Sequence, residues 1–257
     1  MSDDSRPPIA SNPWQGLRRY TDARIALGRV GASLPTHQML AFDLAHALAR
    51  DAVHAALDVP QLAADLEALG LSSVCVASEA ADRATFLLRP DLGRRLHPAS
   101  ASLLRAAAPP ADLAFVLGDG LSAVALQRHA VPLLAALLPQ LEPRLRVAPP
   151  VIATQARVAL GDDIAELLRA RLVVVLIGER PGLSSPDSLG AYLTFAPRRG
   201  RTDAERNCVS NIRPEGLGYE DAARRLAWLV AAALDRRLTG VELKDESDGL
   251  LLPAPST

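Results

Sequence analysis

The chain has 257 residues, of which 49% are hydrophobic, so it is long enough to bury a sizeable core. Its 28 basic and 29 acidic residues almost cancel, and a net charge of −1 argues against a nucleic-acid-binding protein. Cys75 and Cys208 are the only cysteines, which excludes a disulfide framework and a cysteine metal cluster. No apolar run is long enough to cross a bilayer, and the polar N-terminus has no signal-peptide pattern. We therefore expect a soluble protein of the cytoplasm.

The N-terminal part of the chain is predicted to be helical. Residues 1–13 are polar and contain three prolines, so we expect them to be disordered. Residues 14–70 have helical spacing, with Leu40, Leu44 and Leu48 four residues apart. We predict a separate helical region here, with helices at 14–28, 36–57 and 59–69.

Strands and helices alternate from residue 71 to residue 244, and this alternation favours an α/β fold. We predict a Rossmann-like, mostly parallel sheet with helices on both faces, preceded by the N-terminal helical region. The predicted strands cover residues 73–78, 112–117, 145–154, 172–177 and 189–195. Helices are predicted at 162–170 and 220–238, and another ends near residue 138. Residues 202–214 are predicted to be irregular, and residues 245–257 a disordered tail.

The most informative stretch is the apolar run LVVVLI at residues 172–177, which breaks into GERPG at residues 178–182. A run without a polar face must be covered on both sides, and open α/β sheets bind ligands at the carboxyl ends of such strands. Two interpretations of Glu179 and Arg180 remain open. They form a surface ion pair, or they belong to a wall that contacts a large polar ligand, as the hydroxyl-rich residues 182–188 suggest.

A second glycine turn follows the strand predicted at 112–117. Gly118, Gly120 and Ala123 match the dinucleotide fingerprint, which would make the chain a nicotinamide oxidoreductase. However, Asp119 would repel a pyrophosphate, and the nearest acid at the expected spacing, Glu142, does not follow a strand. The residues therefore favour a tight turn whose amides can meet some polar group.

Other catalytic patterns are absent from the sequence, which has no P-loop, no HExxH and no GxSxG. His46 and His54 are two helical turns apart, too far to hold one metal ion between them. Cys208 lies in NCVSN, where a ligand wall and a buried structural thiol are equally compatible with the residues, and a catalytic thiolate is less so. We predict no catalytic residue and no metal site in this chain.

Six segments are distinctive when taken in chain order: LRRYTDARIALGR, RPDLGRRL, VLGDGLSA, RVALGDDIAELL, GERPGLSSPDSLGAYLTF and NCVSNIRPEGL. Together, and in this order, they resemble the small subunit of the ethanolamine ammonia-lyase family. The resemblance covers residues 14–244. It implies an adenosylcobalamin-dependent enzyme that converts ethanolamine to acetaldehyde and ammonia by radical chemistry. It also implies a Rossmann-like domain whose cofactor lies against a large TIM-barrel subunit, in an assembly of six large and six small subunits.

The resemblance carries three cobalamin contacts onto this chain: Val158 in RVALG, Glu179 in IGERPG and Cys208 in NCVSN. The residue types agree with that role. Val158 and Cys208 suit the apolar edge of a corrin, and the Glu179 carboxylate can accept the amide N–H groups of corrin side chains. No histidine has the Asp-x-His-x-x-Gly context of proteins that displace the cofactor's base, so we expect cobalamin to keep its own base on cobalt.

The small subunit is then expected to hold the cofactor against the large subunit and to be inactive alone. The alternatives are the freestanding nicotinamide oxidoreductase and a noncatalytic scaffold subunit that never touches the cofactor. Some family members carry a long N-terminal extension that directs them to a bacterial microcompartment. Only 13 residues precede Trp14 here, so the cytoplasm is the expected location, although a microcompartment is not excluded.

Overall fold

The computed structural model describes residues 9–107 and 110–247. The predicted disordered ends fall largely at residues 1–8 and 248–257, which lie outside the described residues. Seven α-helices are present in the described ranges: α1 (Thr36–His54), α2 (Val59–Ala68), α3 (Arg83–Leu88), α4 (Pro98–Ala107), α5 (Ala123–Leu137), α6 (Leu160–Leu167) and α7 (Tyr219–Arg236). Short 3-10 helices occur at Pro13–Tyr20, Leu92–Arg94, Leu138–Gln140 and Asp203–Glu205.

The strands form one six-stranded mixed sheet. They are β1 (Val74–Ala77), β2 (Leu113–Gly118), β3 (Val151–Thr154), β4 (Leu172–Gly178), β5 (Leu189–Phe195) and β6 (Asn207–Ile212), in the order β1-β3-β2-β4-β5-β6. The pairings among the first four are parallel, whereas β4–β5 and β5–β6 are antiparallel. The α/β class is confirmed, but the sheet is mixed and not clearly Rossmann-like. The short connection at residues 179–188 explains this, because parallel neighbours need a crossover of about a dozen or more residues.

Side chains alternate between two faces of the sheet, and each face has its own core. On the first face, Phe115 and Val174 pack with Leu193 against α2, α5 and α7. On the second face, Val116 and Val175 pack against α4 and α6. Every residue of β4 is buried, so the predicted two-sided cover of this apolar strand is confirmed.

The structure corrects the predicted elements in three places. The stretch 202–214, predicted to be irregular, contains β6. Only Val209 and Ile212 of this strand are buried, so its sequence is mostly polar and has no apolar run that would predict a strand. The strand predicted at 145–154 begins only at Val151, since the preceding prolines have no amide hydrogen to donate. The helix predicted at 14–28 is reduced to the 3-10 helix Pro13–Tyr20.

The N-terminal helix α1 is present as predicted, but its leucine stripe faces outward. Leu40 is 64% exposed and Leu44 is 61% exposed, whereas Ala49 and Ala52 are buried. Small side chains therefore make its contact with the rest of the described chain. The boundaries proposed for the regions 14–70 and 71–244 stay predictions. No helix among the described residues is both long enough and apolar enough to span a membrane.

Candidate cofactor-binding surface

The turns that follow β2 and β4 pack directly on each other. A Cβ atom on Gly120, whose φ is +57°, would lie 2.2 Å from the carbonyl oxygen of Gly178. A Cβ atom on Gly178 would lie 1.9 Å from the carbonyl oxygen of Ser122. Neither position tolerates a side chain, so these glycines serve a backbone contact between two turns.

Asp119 points into the protein from the first of these turns. Its carboxylate accepts hydrogen bonds from the amides of Gln155 and Ala156, both at 2.9 Å, and lies 3.9 Å from Arg83. Burial raises the pKa of the Asp119 carboxyl, while the two amides and Arg83 lower it. The residue expected to repel a phosphate instead fixes the loop after β3, which carries Val158.

The connection after β4 is also held in place. The Ser122 hydroxyl donates to the carbonyl of Pro186 at 2.9 Å, and Arg128 donates to the Asp187 carboxylate at 2.9 Å. Ser122 is the N-cap of α5 and Arg128 lies within α5, so both donors belong to the helix that follows the turn after β2. The hydroxyl-rich stretch is therefore anchored at its end, and Glu179 at its start continues the β4–β5 ladder through a backbone bond to Ser188 of 2.9 Å.

Helix α6 covers the second face of the sheet only in part. A Cβ atom on Gly161 would lie 2.3 Å from Val175, so the helix packs closely on β4. Its first turn is joined to the start of β6 by an ion pair between Asp162 and Arg206, whose side chains are both 1% exposed. Arg206 also donates to the Thr194 hydroxyl at 2.7 Å. Among the described helices, those with the largest contact with β5 and β6 are α5 and α7, and both lie on the first face.

The uncovered part of the second face carries Glu179, Gly190, Tyr192 and Cys208. Tyr192 lies opposite Cys208 on one side and Val175 on the other, so these side chains point to the same face. A Cβ atom on Gly190 would lie 2.9 Å from Glu179 Oε1 and 3.1 Å from the Tyr192 ring. The carboxylate and the ring therefore meet above a glycine. We call these four residues the open surface.

Hydrogen bonds orient the Glu179 carboxylate on the open surface. Oε2 accepts from the Ser188 hydroxyl and from the Asn211 amide, the latter at 3.2 Å. Oε1 has no hydrogen-bond partner among the described residues. No ion pair with Arg180 forms between these described side chains, so the surface-ion-pair interpretation of Glu179 is wrong, and the ligand-wall interpretation stays a prediction.

Cys208 is exposed, but its thiol is not activated. Partial burial raises the pKa of the Cys208 thiol, and an interaction with the Tyr192 hydroxyl lowers it by less. Burial, Cys208 and Glu179 together raise the pKa of Tyr192. A thiol with a raised pKa stays protonated near neutral pH and is a weak nucleophile and a poor metal ligand. Both side chains are therefore neutral contact groups.

Val158 approaches from the loop after β3. It packs, with Tyr192, against the hydrophobic core of the second face, and it lines a cavity of ≈ 380 Å³. The structure thus brings Val158, Glu179 and Cys208 to one side of the sheet. Their contact with a cofactor stays a prediction. The described residues contain no group of three or more His, Cys, Asp or Glu side chains that could hold a metal ion.

Gly190 and Tyr192 were not identified from the sequence. Alternation within LGAYLTF places these two residues on one face of a strand, which was available as a signal. Their place beside Glu179 depends on the antiparallel pairing of β4 with β5, and their place beside Cys208 depends on a strand that was not predicted.

Comparison with known proteins agrees with the resemblance. The sequence model of the ethanolamine ammonia-lyase light chain matches residues 11–244. The chain belongs to this family. An ethanolamine ammonia-lyase small subunit from Azotobacter vinelandii is 57% identical over 253 residues, covering 96% of this chain and 93% of that protein. Another from Bradyrhizobium diazoefficiens is 58% identical over 250 residues, covering 96% and 95%.

A third small subunit, from Ralstonia nicotianae, is 53% identical over 257 residues, covering 98% of this chain and 95% of that protein. The family match spans both the N-terminal helices and the whole sheet. The loop after β3, the GERPG loop and β6 all lie inside it, so every residue of the open surface falls within the matched region.

Proposed function

We propose that this chain is the small subunit of an adenosylcobalamin-dependent ethanolamine ammonia-lyase, which converts ethanolamine to acetaldehyde and ammonia. Its role is to hold cobalamin against a large subunit that carries the catalytic groups. One observation carries this proposal: no described helix makes a large contact with β5 and β6 on the second face, where the Glu179 carboxylate is held above Gly190. Family membership supports the reaction, and the open surface supports the binding role.

The residues present fit a corrin ring. Gly190 has no side chain, so the Glu179 carboxylate and the Tyr192 ring lie directly over its backbone. Glu179 Oε1 is free to accept an amide N–H, and corrins carry several amide side chains. Val158 and the neutral thiol of Cys208 suit apolar edges and methyl groups. A protonated thiol is a poor metal ligand, so Cys208 would contact the ring and not the cobalt.

When bound, adenosylcobalamin supplies the radical chemistry. The residues of this chain bind the ring, orient it and exclude water from one side. The raised pKa values of Cys208 and Tyr192 keep both groups protonated near neutral pH, so neither is a base there. We therefore assign no catalytic step to this chain and expect it to be inactive without the large subunit.

The exposed apolar surface of α1 supports a protein partner. Leu40, Leu44 and Leu48 are each more than half exposed and lie on one side of the helix. The relatives are named small subunits, so a large subunit of the same enzyme is the proposed occupant. The assembly of six large with six small subunits belongs to the same proposal, and so does the cytoplasmic location.

The test compares complexes co-expressed with a large subunit. Glu179→Gln removes the charge above Gly190, and Cys208→Phe places a ring on the open surface. We expect each to weaken cobalamin binding about tenfold or more, because a charge-assisted hydrogen bond or a surface contact is lost. Equilibrium dialysis followed by corrin absorbance measures the affinity, and ammonia release measures activity.

Matched controls are available in the same chain. Glu67→Gln removes an exposed acid of α2, and Cys75→Phe adds the same ring at the exposed cysteine of β1. Both should leave cobalamin affinity unchanged. If neither open-surface variant differed from its control, the scaffold interpretation would replace this one. Full turnover by the isolated chain would also contradict the proposal.

A further inference from the structure

The cavity beside Val158 is rich in arginine. Its volume is ≈ 380 Å³, and it lies between the loop after β3, the 3-10 helix Leu92–Arg94 and the segment before β6. The charged residues in its lining are Arg94, Arg157, Arg201 and Asp203. It lies on the same side of the sheet as the open surface, since Val158 and Tyr192 both pack on the core of the second face.

Two of these charged groups are already engaged. Arg201 forms an ion pair with Glu205 and donates to the carbonyl oxygens of Phe195 and Ala196, at 3.2 and 3.1 Å respectively. The Asp203 carboxylate lies 3.5 Å from Arg206 Nε, and its side chain is 97% exposed. Because Arg206 is also paired with Asp162, Asp203 keeps its negative charge, and the cavity has the two positive charges of Arg94 and Arg157 against this single carboxylate.

The Arg157 side chain is held in place although it forms no ion pair with an acidic residue in the described part of the chain. Its guanidinium lies 4.2 Å from the centre of the Phe86 ring, and Nη2 donates to the Phe86 carbonyl at 3.3 Å. Its Nε is buried and has no hydrogen-bond partner among the described residues. Burial, followed by repulsion from Arg83 and Arg94, lowers the pKa of Arg157. The Arg83 and Arg157 guanidinium groups both lie against the Phe86 ring, at 4.8 and 4.2 Å from its centre, and the Asp119 carboxylate lies 3.9 Å from Arg83.

Arg94 is positioned next to Arg157 by its neighbour Gly93. A Cβ atom on Gly93 would lie 2.9 Å from the Phe86 ring, and the Gly93 carbonyl accepts from the Arg157 amide at 2.8 Å. Arg94 itself is exposed and has no ion-pair partner within the described ranges. This backbone bond holds the two segments that carry Arg94 and Arg157 next to each other, and both residues line the cavity.

We propose that Arg94 and Arg157 bind the phosphodiester group in the nucleotide loop of cobalamin. This inference rests on the proposed function. The phosphodiester is the only phosphate of that cofactor, and guanidinium forks match phosphate oxygens in geometry and charge. The cavity adjoins Val158, one of the residues proposed to contact the ring. A concave site for a small anion agrees better with this ligand than with a broad protein contact.

The experiment uses the complex of both subunits and three corrins: cyanocobalamin, cobinamide phosphate and cobinamide, which has no phosphate. We expect Arg94→Gln to weaken binding of the two phosphate-bearing corrins about tenfold and to leave cobinamide binding unchanged. Arg95→Gln is the control, because Arg95 is also exposed but does not line the cavity. Equilibrium dialysis with corrin absorbance gives all three affinities without an activity assay.

Arg157→Lys is the second variant, since it keeps the charge but removes the fork that stacks on Phe86. We expect a smaller loss of affinity, again confined to the phosphate-bearing corrins.

Equal losses of affinity for cobinamide, or no loss at all, would refute the phosphate site while leaving the proposed function intact. A loss of subunit association in the absence of any corrin would instead assign the arginines to an acid of the large subunit. If the unaltered complex bound no cyanocobalamin, the proposed function would fail as well.

Discussion

The two faces of the sheet differ in how far their helices extend. On the first face, α2, α5 and α7 cover the strands through β6, and Val209 and Ile212 are buried beneath them. On the second face, the helix cover stops at the ion pair between Asp162 and Arg206. The strands beyond it present Tyr192 and Cys208 with no large helix contact among the described residues. Both faces therefore have a buried core, but only the first is covered by helices as far as β6, and the end of the second face is the part that we propose to contact a ligand.

The largest expected loss of stability is at the Asp162–Arg206 ion pair, which lies between the helix-covered part of the second face and the open surface. Arg206→Met leaves the buried Asp162 carboxylate without its partner, so we expect the free energy of unfolding to fall by about 3–5 kcal/mol. Urea denaturation of the purified protein measures it. Adding Asp162→Leu should restore part of the loss, because the unpaired charge is then removed. A single variant as stable as the original chain would show that this pair does not hold α6 on the sheet.

The first face should respond as a packed core. Leu226 on α7 is fully buried, and Leu226→Ala should cost about 2–5 kcal/mol of unfolding free energy through lost burial and a cavity. The comparison variant, Cys208→Ala on the open surface, should cost less than about 1 kcal/mol. Equal losses in urea denaturation would mean that the two faces do not differ as described.

A smaller change tests the open surface itself. Gly190→Ala introduces a Cβ atom 2.9 Å from Glu179 Oε1, so the carboxylate must shift. We expect cobalamin affinity to fall several-fold, with a stability loss of about 1–3 kcal/mol from overpacking. Gly16→Ala is the control, because a Cβ atom there meets nothing within 4 Å. Corrin binding by the complex and thermal unfolding separate the two effects. Unchanged affinity would remove Gly190 from the ligand surface.

The smallest effect concerns the opposite end of the strands. Hydrogen bonds from Arg146, with a further one from Arg171, lower the pKa of Asp112 to about 2. An unfolded aspartate has a pKa of about 3.9, so the unfolded chain binds more protons as the pH falls from about 5 to 2. Stability from this group is complete above pH 5 and is lost across that range.

The corresponding measurement is the urea midpoint between pH 5 and pH 2.5. Asp112→Asn should lower the midpoint at pH 5 and reduce its pH dependence. Asp43→Asn, which alters an exposed acid without an ion pair in the described part of the chain, should change neither. An unchanged slope in the Asp112 variant would show that these arginines do not stabilise the folded carboxylate.

Some of the candidate site could be predicted from local sequence. The apolar run of β4 must be covered on both faces wherever the strand lies, and the glycines after it indicate close backbone contact. These two local signals were enough to select the loop that contains Glu179 as a candidate site. Family resemblance added Val158 and Cys208. Gly190, Tyr192 and the arginine pair were missed, because their importance depends on neighbours distant in the chain.

The sequence by itself determined the α/β class, the strand β4 and the family, because periodicity and motif order are properties of consecutive residues. Only the tertiary structure decided that β5 pairs antiparallel with both β4 and β6, and that the Asp119 side chain points into the protein. It also decided that α6 covers the second face of the sheet only as far as Arg206. These features depend on pairing register and on contacts between residues such as Arg206 and Asp162, which are 44 positions apart. Register decides which side chains share a face, and therefore which of them can contact one ligand.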